Sequence, residues 1–392
     1  MILSIIFALF MFVVFLAYLF FPVMVKRNYE RYRTMTLRKD AYSTLPDPMP
    51  LVSVIVPARN EEKTIGKCLI SLIEQDYPNI EIIAVNDNST DRTAAIIEDI
   101  REKDTRVQLV DGEDLPPGWM GKNFAVYQGV QHAKGEYLLF VDADEWFNPR
   151  CISRTICYAL EHGSDLLILM PGAVRKGFWE RLIFPVYTQI TWSTLPFSLL
   201  EDNRSHANLG GGPYLLFKRE AYEDIGGHER IRGEIVEDMM LVRAIKKSGL
   251  KLSYLFGHEL LTLGSYGNLS NIWRQLSKSY FSGIGRKAWI VGESVFLLFS
   301  FLILPWVSVI LSLSYLMIYP WGWFPFLVFL LGMGQCISAL FLRYRLKQYI
   351  SLDNTYSLLQ PLAALMIMGI MIHSTAKGLY GKGTTWKGRS YC

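Results

Sequence analysis

Ile2–Val25 contains no Asp, Glu, Lys or Arg, and neither does Val295–Leu340 or Thr355–Thr375, where His373 is the one basic side chain. Each stretch holds a run of about 20 residues, long enough to cross a hydrocarbon core as helix. No other feature restricts the fold as much. A chain built this way must place helices in lipid at both ends, and whatever chemistry it performs belongs to the segment between them. The overall balance, 51% hydrophobic against 19% charged, reflects this concentration of apolar residues.

Charge sets the expected orientation. No basic residue precedes Ile2–Val25, whereas Lys26, Arg27, Arg31, Arg33, Arg38 and Lys39 follow it. That order is opposite to a cleaved signal peptide and fits an uncleaved anchor whose following segment is cytoplasmic. The expected organisation is an anchor at 1–25, a basic juxtamembrane linker at 26–50, a soluble domain at 51–288, about three spans within 289–376 and a basic tail at 377–392. The protein is thus expected in the cell membrane as a multi-pass protein with a cytoplasmic catalytic domain. Three clean C-terminal spans would put the tail outside, yet Lys377, Lys382, Lys387 and Arg389 argue for the inside. One segment must therefore be re-entrant, interfacial or split, with Pro305 and Pro361 as candidate break points. The five cysteines show no CxxC spacing and are expected to be reduced. A net charge of +4 without like-charge blocks gives no sign of nucleic-acid binding.

Between the apolar ends the pattern becomes α/β. Leu51–Ala58 is a continuous β-branched run, as in a strand covered on both faces. A helix is expected from about Glu62 to Gln75, then a strand at Ile80–Asp87, a helix opened by the capping residues of NSTD, a short strand VQLVDG, a helix at Asn123–Ala133 and a fourth strand EYLLFVDAD. Such alternation predicts a mostly parallel, doubly wound sheet, with ligands at the carboxyl ends of the strands. PARNEE, NDNSTD and DADE all fall there. Phe178–Leu200 is aromatic and broken by Pro185 and Pro196. It is expected to lie in the membrane plane, because a span there would separate Glu237-Asp238 from Asp142-Asp144.

Asp142 and Asp144 are one residue apart at a strand end, so both point to the same side. Two such carboxylates repel unless a cation lies between them, and their hard oxygens suit Mg²⁺ or Mn²⁺. Held there, the ion neutralises a diphosphate leaving group.

Four motifs stand in order: VSVIVPARNEEKTIGKCLISL, EIIAVNDNSTDRTAAI, GKNFAVYQGVQHAKGEYLLFVDADE and GGPYLLFKREAYEDIGGHERIRGEIVEDMMLVRAIKKSGL. Over roughly Leu51–Leu252 they resemble the family 2 glycosyltransferases, which have the GT-A fold. The resemblance implies a GT-A domain beside transmembrane helices, and the following roles. Pro57, Ala58, Arg59 and Glu61 embrace the nucleotide, Asp87 contacts its uracil-ribose part and Lys122 lies near it. Asp142 and Asp144 hold the metal, with Asp142 also on the nucleotide-sugar. Asp238 is the general base of an inverting transfer. Gly211, Gly212 and Glu237 fall on the acceptor side. The tail, GTTWKGRSYC, is similar to tails of membrane enzymes that glycosylate lipids, of ceramide, hopanoid and carotenoid-acid type, which adds Trp386 and Arg389 to the acceptor side. His206, before the GGGP loop, is a further acceptor-side candidate. In IWRQLSKSYFSG the Q-x-x-R-W pattern of polysaccharide synthases is broken, since Lys278 and Ser279 replace its Arg and Trp. The implied activity is transfer of a hexose, glucose in the first place, from a UDP-sugar to a membrane lipid. A polysaccharide synthase and a non-catalytic membrane scaffold are the alternatives.

Overall fold

The structure, a computed structural model, describes residues 2–42, 44–173, 175–320, 322–380, 384–386 and 389–391. The chain begins with α1 (Ile2–Met35) and enters the α/β part as β1 (Val52–Ala58), α2 (Ile65–Ile73), β2 (Ile80–Asn86), α3 (Thr93–Arg101), β3 (Val107–Asp111), α4 (Gly121–His132), β4 (Tyr137–Val141) and β5 (Glu145–Phe147). It continues through α5 (Cys151–His162), β6 (Leu166–Ala173), α6 (Phe178–Thr194), β7 (Tyr214–Lys218), α7 (Arg219–Asp224), α8 (Gly227–Arg230), α9 (Glu237–Lys247) and β8 (Leu252–Leu263). Five helices follow: α10 (Leu269–Gly283), α11 (Ala288–Leu298), α12 (Leu304–Ile318), α13 (Trp323–Ile350) and α14 (Gln360–Leu379). A short antiparallel ribbon, β9 (Thr384–Trp386) with β10 (Arg389–Tyr391), comes last.

One eight-stranded sheet runs in the order β3-β2-β1-β4-β7-β6-β8-β5. β3, β2, β1 and β4 are parallel, as the sequence predicts. The other half is mixed: β7 runs antiparallel to β4 and β6, and β5 antiparallel to β8. The reason lies in the connections, because β7 is reached by the long excursion through α6 rather than by a βα crossover. Alternation along β1 splits the interior into two layers. Val52, Val54 and Val56 face one core with α2 and α5, and Ile55 faces the other with Val126 of α4 and Leu241 of α9. Each such side chain contributes about 1.5–3 kcal/mol by leaving water.

The second core continues into the membrane helices, for it includes Val14, Tyr18 and Val25 of α1 and Leu342 and Leu346 of α13. Accordingly α1 does not stop at Val25 but runs to Met35. The buried Asn28 amide donates to the carbonyls of Trp192 (2.9 Å) and Leu195 (2.8 Å) and accepts from the Phe197 N–H (2.8 Å). Arg31 pairs with Glu201. Residues 26–35, expected as linker, are a stiff continuation of the anchor.

Among the described residues, four helical stretches are long and apolar enough to cross a membrane: Ile2–Met35, Ala288–Ile318, Trp323–Ile350 and Ser357–Leu379. α11 and α12 form one rod through a π-helical turn, Phe299–Ile303, immediately before Pro305. α13 packs against both α12 and α1, and Gln335 donates to the Met11 carbonyl (2.6 Å). α14 behaves differently. It lies along α10 and α6, tied by Trp273 Nε1–H donating to His373 (2.7 Å) and by Ser374 Oγ donating to the Ser277 carbonyl (2.6 Å). Pro361 sits in its first turn. The four described cysteines are buried free thiols.

Candidate active site

The carboxyl ends of β1, β2 and β4 open on one side, where helix and loop starts deliver the polar residues. α9 begins with Glu237 and Asp238, acids favoured at a helix N-terminus by its unpaired N–H groups. α4 begins with Gly121 and Lys122. The two helix starts are locked together by Asn123, whose buried amide reaches the carbonyls of Ile231 (3.0 Å) and Glu234 (2.9 Å) in the approach to α9. That fixes Lys122, whose ammonium lies 2.5 Å from Asp142 Oδ1 and 2.6 Å from Glu237 Oε1. Burial works against the Lys122 charge, but Asp142 and Glu237 more than reverse this and hold its pKa well above the ordinary value. Burial likewise opposes the Glu237 anion, and the Lys122 charge overrides it, so the Glu237 pKa falls.

Asp238 is held from behind by a glycine turn. Its Oδ2 accepts from the N–H groups of Gly211 (2.8 Å) and Gly212 (3.0 Å), and its Oδ1 accepts from the Met239 N–H (2.8 Å). Oδ2 has both lone pairs engaged, which leaves a free lone pair on Oδ1. Burial, then the charge of Glu237, push the Asp238 pKa up, against the pull of these amides. The turn requires glycine: Gly210 has φ +71, and a Cβ there would lie 2.5 Å from Asp238 Oδ2. Gly210→Ala is therefore expected to displace the carboxylate and lower turnover about 10²-fold. Circular dichroism should show the fold retained; unchanged turnover would contradict this placement.

Asp142, Asp144 and Glu145 each bring an oxygen within 4.8 Å of the others. The Asp144 pKa is raised to about 6, by loss of water first and then by Asp142 and Glu61. Glu145 is 1% exposed, and neither of its carboxylate oxygens has a hydrogen-bond partner among the described residues. Burial, then Asp142 and Asp144, push its pKa well up. A buried carboxyl without a side-chain partner among the described residues, beside two further acids, fits a hard divalent cation, whose charge would relieve all three.

Pro57, Arg59, Glu61, Lys122, Asp142, Asp144, Gly212, Glu237 and Asp238 line a single cleft of about 430 Å³. Arg59 bridges two of its loops by donating to the carbonyls of Asp87 (2.6 Å) and Asn88 (3.0 Å). Ala58 and Asp87 are buried at the strand ends rather than on the cleft wall, and Gly211 stands behind Asp238. His206 is exposed and outside the cleft. The side chains of Trp386 and Arg389 lie outside the described residues. The opposite wall was not foreseen from sequence. It is one face of α10, with Asn271, Arg274, Gln275, Lys278 and Ser279, together with Ser265 and Tyr266. Burial lowers the Lys278 pKa, against the attraction of Glu237. The Ser265–Tyr266 loop is held by buried Glu180 of α6, which accepts from the Ser265 hydroxyl (2.9 Å) and the Tyr266 N–H. The N-x-x-R-Q-x-x-K spacing was the available signal, a polar stripe at helical period.

Comparison with known proteins agrees with this geometry. The profile of "Glycosyl transferase family 2" matches residues 53–226. That stretch of the chain is similar to the family 2 glycosyltransferases. Over 219 residues it is 35% identical to 4,4′-diaponeurosporenoate glycosyltransferase of Staphylococcus aureus, in strain USA300 and likewise in strain bovine RF122. The match takes in 55% of this chain and 56% of that enzyme, so it spans little more than half the relatives' length. Among solved structures, a mannosyltransferase from Pyrobaculum calidifontis, in complex with GDP-Man and Mn²⁺, superposes with TM-score 0.53 at 17% identity, covering 96% of this chain and 99% of that one. The α/β part has the GT-A fold and is accompanied, among the described residues, by four helices long and apolar enough to span a membrane.

Proposed function

We propose that this protein is an inverting glycosyltransferase that moves a hexose, glucose, from a UDP-sugar to a carotenoid carboxylic acid or similar lipid held in the membrane. The observation that carries the reading is the convergence of Asp142, Asp144 and Asp238 on one cleft whose far wall, α10, packs directly on apolar α14. Inversion needs one base on the attacking face and charge stabilisation on the leaving side. Asp238 is the base, through Oδ1. Asp142 and Asp144, with Glu145 behind them, hold the divalent cation, Mg²⁺ or Mn²⁺, which supplies charge to a leaving diphosphate. Lys122, Arg274 and Lys278 add positive charge to the same cleft, while Pro57, Arg59, Glu61 and Asp87 shape the nucleotide end. Gly211 and Gly212 act by orienting Asp238, and Glu237 by orienting Lys122. The 35% identity to a carotenoid-acid glycosyltransferase supports the acceptor class.

The domain lies on the cytoplasmic face of the cell membrane. The basic residues after Val25 and the Arg343, Arg345 and Lys347 cluster at the end of α13 support that side. Three spans, α1, the α11–α12 rod and α13, together with an in-plane α14, leave the basic tail on the same side. The test is release of UDP from UDP-glucose by the purified full chain with Mn²⁺. Release is expected to rise when a carotenoid-acid or membrane-lipid extract is added; no rise with any extract and any UDP-hexose would contradict the proposal.

A further inference from the structure

A second cavity, of about 320 Å³, lies on the other side of α10 from the catalytic cleft. Its wall is assembled from six segments: Tyr18 and Phe21 of α1, Ile190 and Ser193 of α6, Tyr280 of α10, Leu297 of α11, Phe301 of the π-helical turn, and α14. We infer that this cavity seats the hydrocarbon chain of the lipid acceptor while its polar head reaches the catalytic cleft across the edge of α10. The inference rests on the lipid-acceptor reading above.

Four observations point to an occupant of that kind. First, the lining is mainly aliphatic and aromatic, with Gln189, Ser193, Thr194 and Ser294 as its polar members, as suits the apolar chain of a lipid. Second, neighbouring residues of α10 line the two spaces, Lys278 and Ser279 the cleft and Tyr280 the cavity. Third, the wall contains the π-helical turn, a departure from α-geometry often found at functional sites. Tyr18 of α1 donates its hydroxyl to the Phe301 carbonyl in that turn. The irregular backbone is thus satisfied from a neighbouring helix, as membrane depth requires. Fourth, Ser193, only 5% exposed, lines the cavity with its hydroxyl unpartnered among the described residues. The cavity also lies where α1, α6 and α11–α12 meet, beside the cytoplasmic end of the spans, which is where a chain would enter from the inner leaflet.

The test uses the full chain in detergent and palmitic acid carrying a mid-chain diazirine. Irradiation is expected to label peptides covering residues 187–194 and 297–302, and a carotenoid acid should compete. Ile190→Trp, which fills the space, and Leu297→Trp at its exposed lip should each cut labelling, and each should raise the KM for a long-chain acceptor about tenfold. Both should leave kcat and the KM for UDP-glucose unchanged. Labelling elsewhere, or an unchanged acceptor KM in both variants, overturns the inference. So does a label that the carotenoid acid fails to displace, since the cavity would then hold a structural lipid. Labelling is read without turnover, so it stands or falls separately from the proposed transfer reaction.

Discussion

Asp238→Asn is expected to lower kcat roughly 10²–10⁴-fold, the usual range for a lost general base, while the affinity for UDP-sugar stays within about twofold. Asparagine keeps the size of the side chain but cannot take the acceptor's proton, and its oxygen is expected to stay on the Gly211 and Gly212 N–H groups, which turns its NH2 toward the reacting side. Binding should survive because the charge at the nucleotide end comes from Lys122 and Asp142, which α4 and β4 hold independently of Asp238. The acceptor's chemistry tunes the effect. A carboxylic acid is already ionised near neutral pH, so the loss should be smaller with a carotenoid acid than with an alcohol. Acidity tests the same residue. Burial and then Glu237 raise the Asp238 pKa, so the neutral, inactive form persists to higher pH than for an ordinary carboxylate. With an alcohol acceptor, kcat should therefore fall as pH drops through that raised value, and the acid limb should disappear in Asp238→Asn. A collapse of donor affinity instead would make Asp238 a structural or nucleotide-binding residue.

Removal of divalent cations should have an effect at least as large. EDTA is expected to abolish transfer, and Mn²⁺ or Mg²⁺ to restore it. Asp144→Asn and Glu145→Gln should weaken Mn²⁺-dependent binding of UDP, which is measurable without turnover. Of the two, Glu145 is the more informative, because its buried carboxyl has no side-chain partner among the described residues. Full activity in EDTA would remove the metal role from all three residues.

The parallel half of the sheet was legible because strands buried on both faces read as unbroken β-branched runs, as Leu51–Ala58 does. The mixed half was not. Leu166–Ala173 and Tyr214–Lys218 are equally apolar, but nothing local in them specifies direction, which is set by the excursion through α6. Asp142, Asp144 and Asp238 could be read because motif order brought them together, whereas the oxygen cradle of Gly211 and Gly212 depends on a backbone turn that no spacing encodes. The α10 wall was hidden for a different reason. Lys278 breaks a familiar pattern, yet it faces the cleft all the same. Likewise, the basic stretch after Val25 looked like a linker until Asn28 was seen to bond the backbone around Trp192 and Phe197.

The central claim is that a soluble sugar is joined to a lipid at the membrane face, and product partitioning tests it most directly. Purified full chain, Mn²⁺, UDP-[¹⁴C]glucose and a carotenoid-acid extract are incubated and then divided between organic solvent and water. Label in the organic phase, dependent on both the extract and Mn²⁺, is the predicted result. Label recovered as a water-soluble polymer would contradict it and make the protein a polysaccharide synthase.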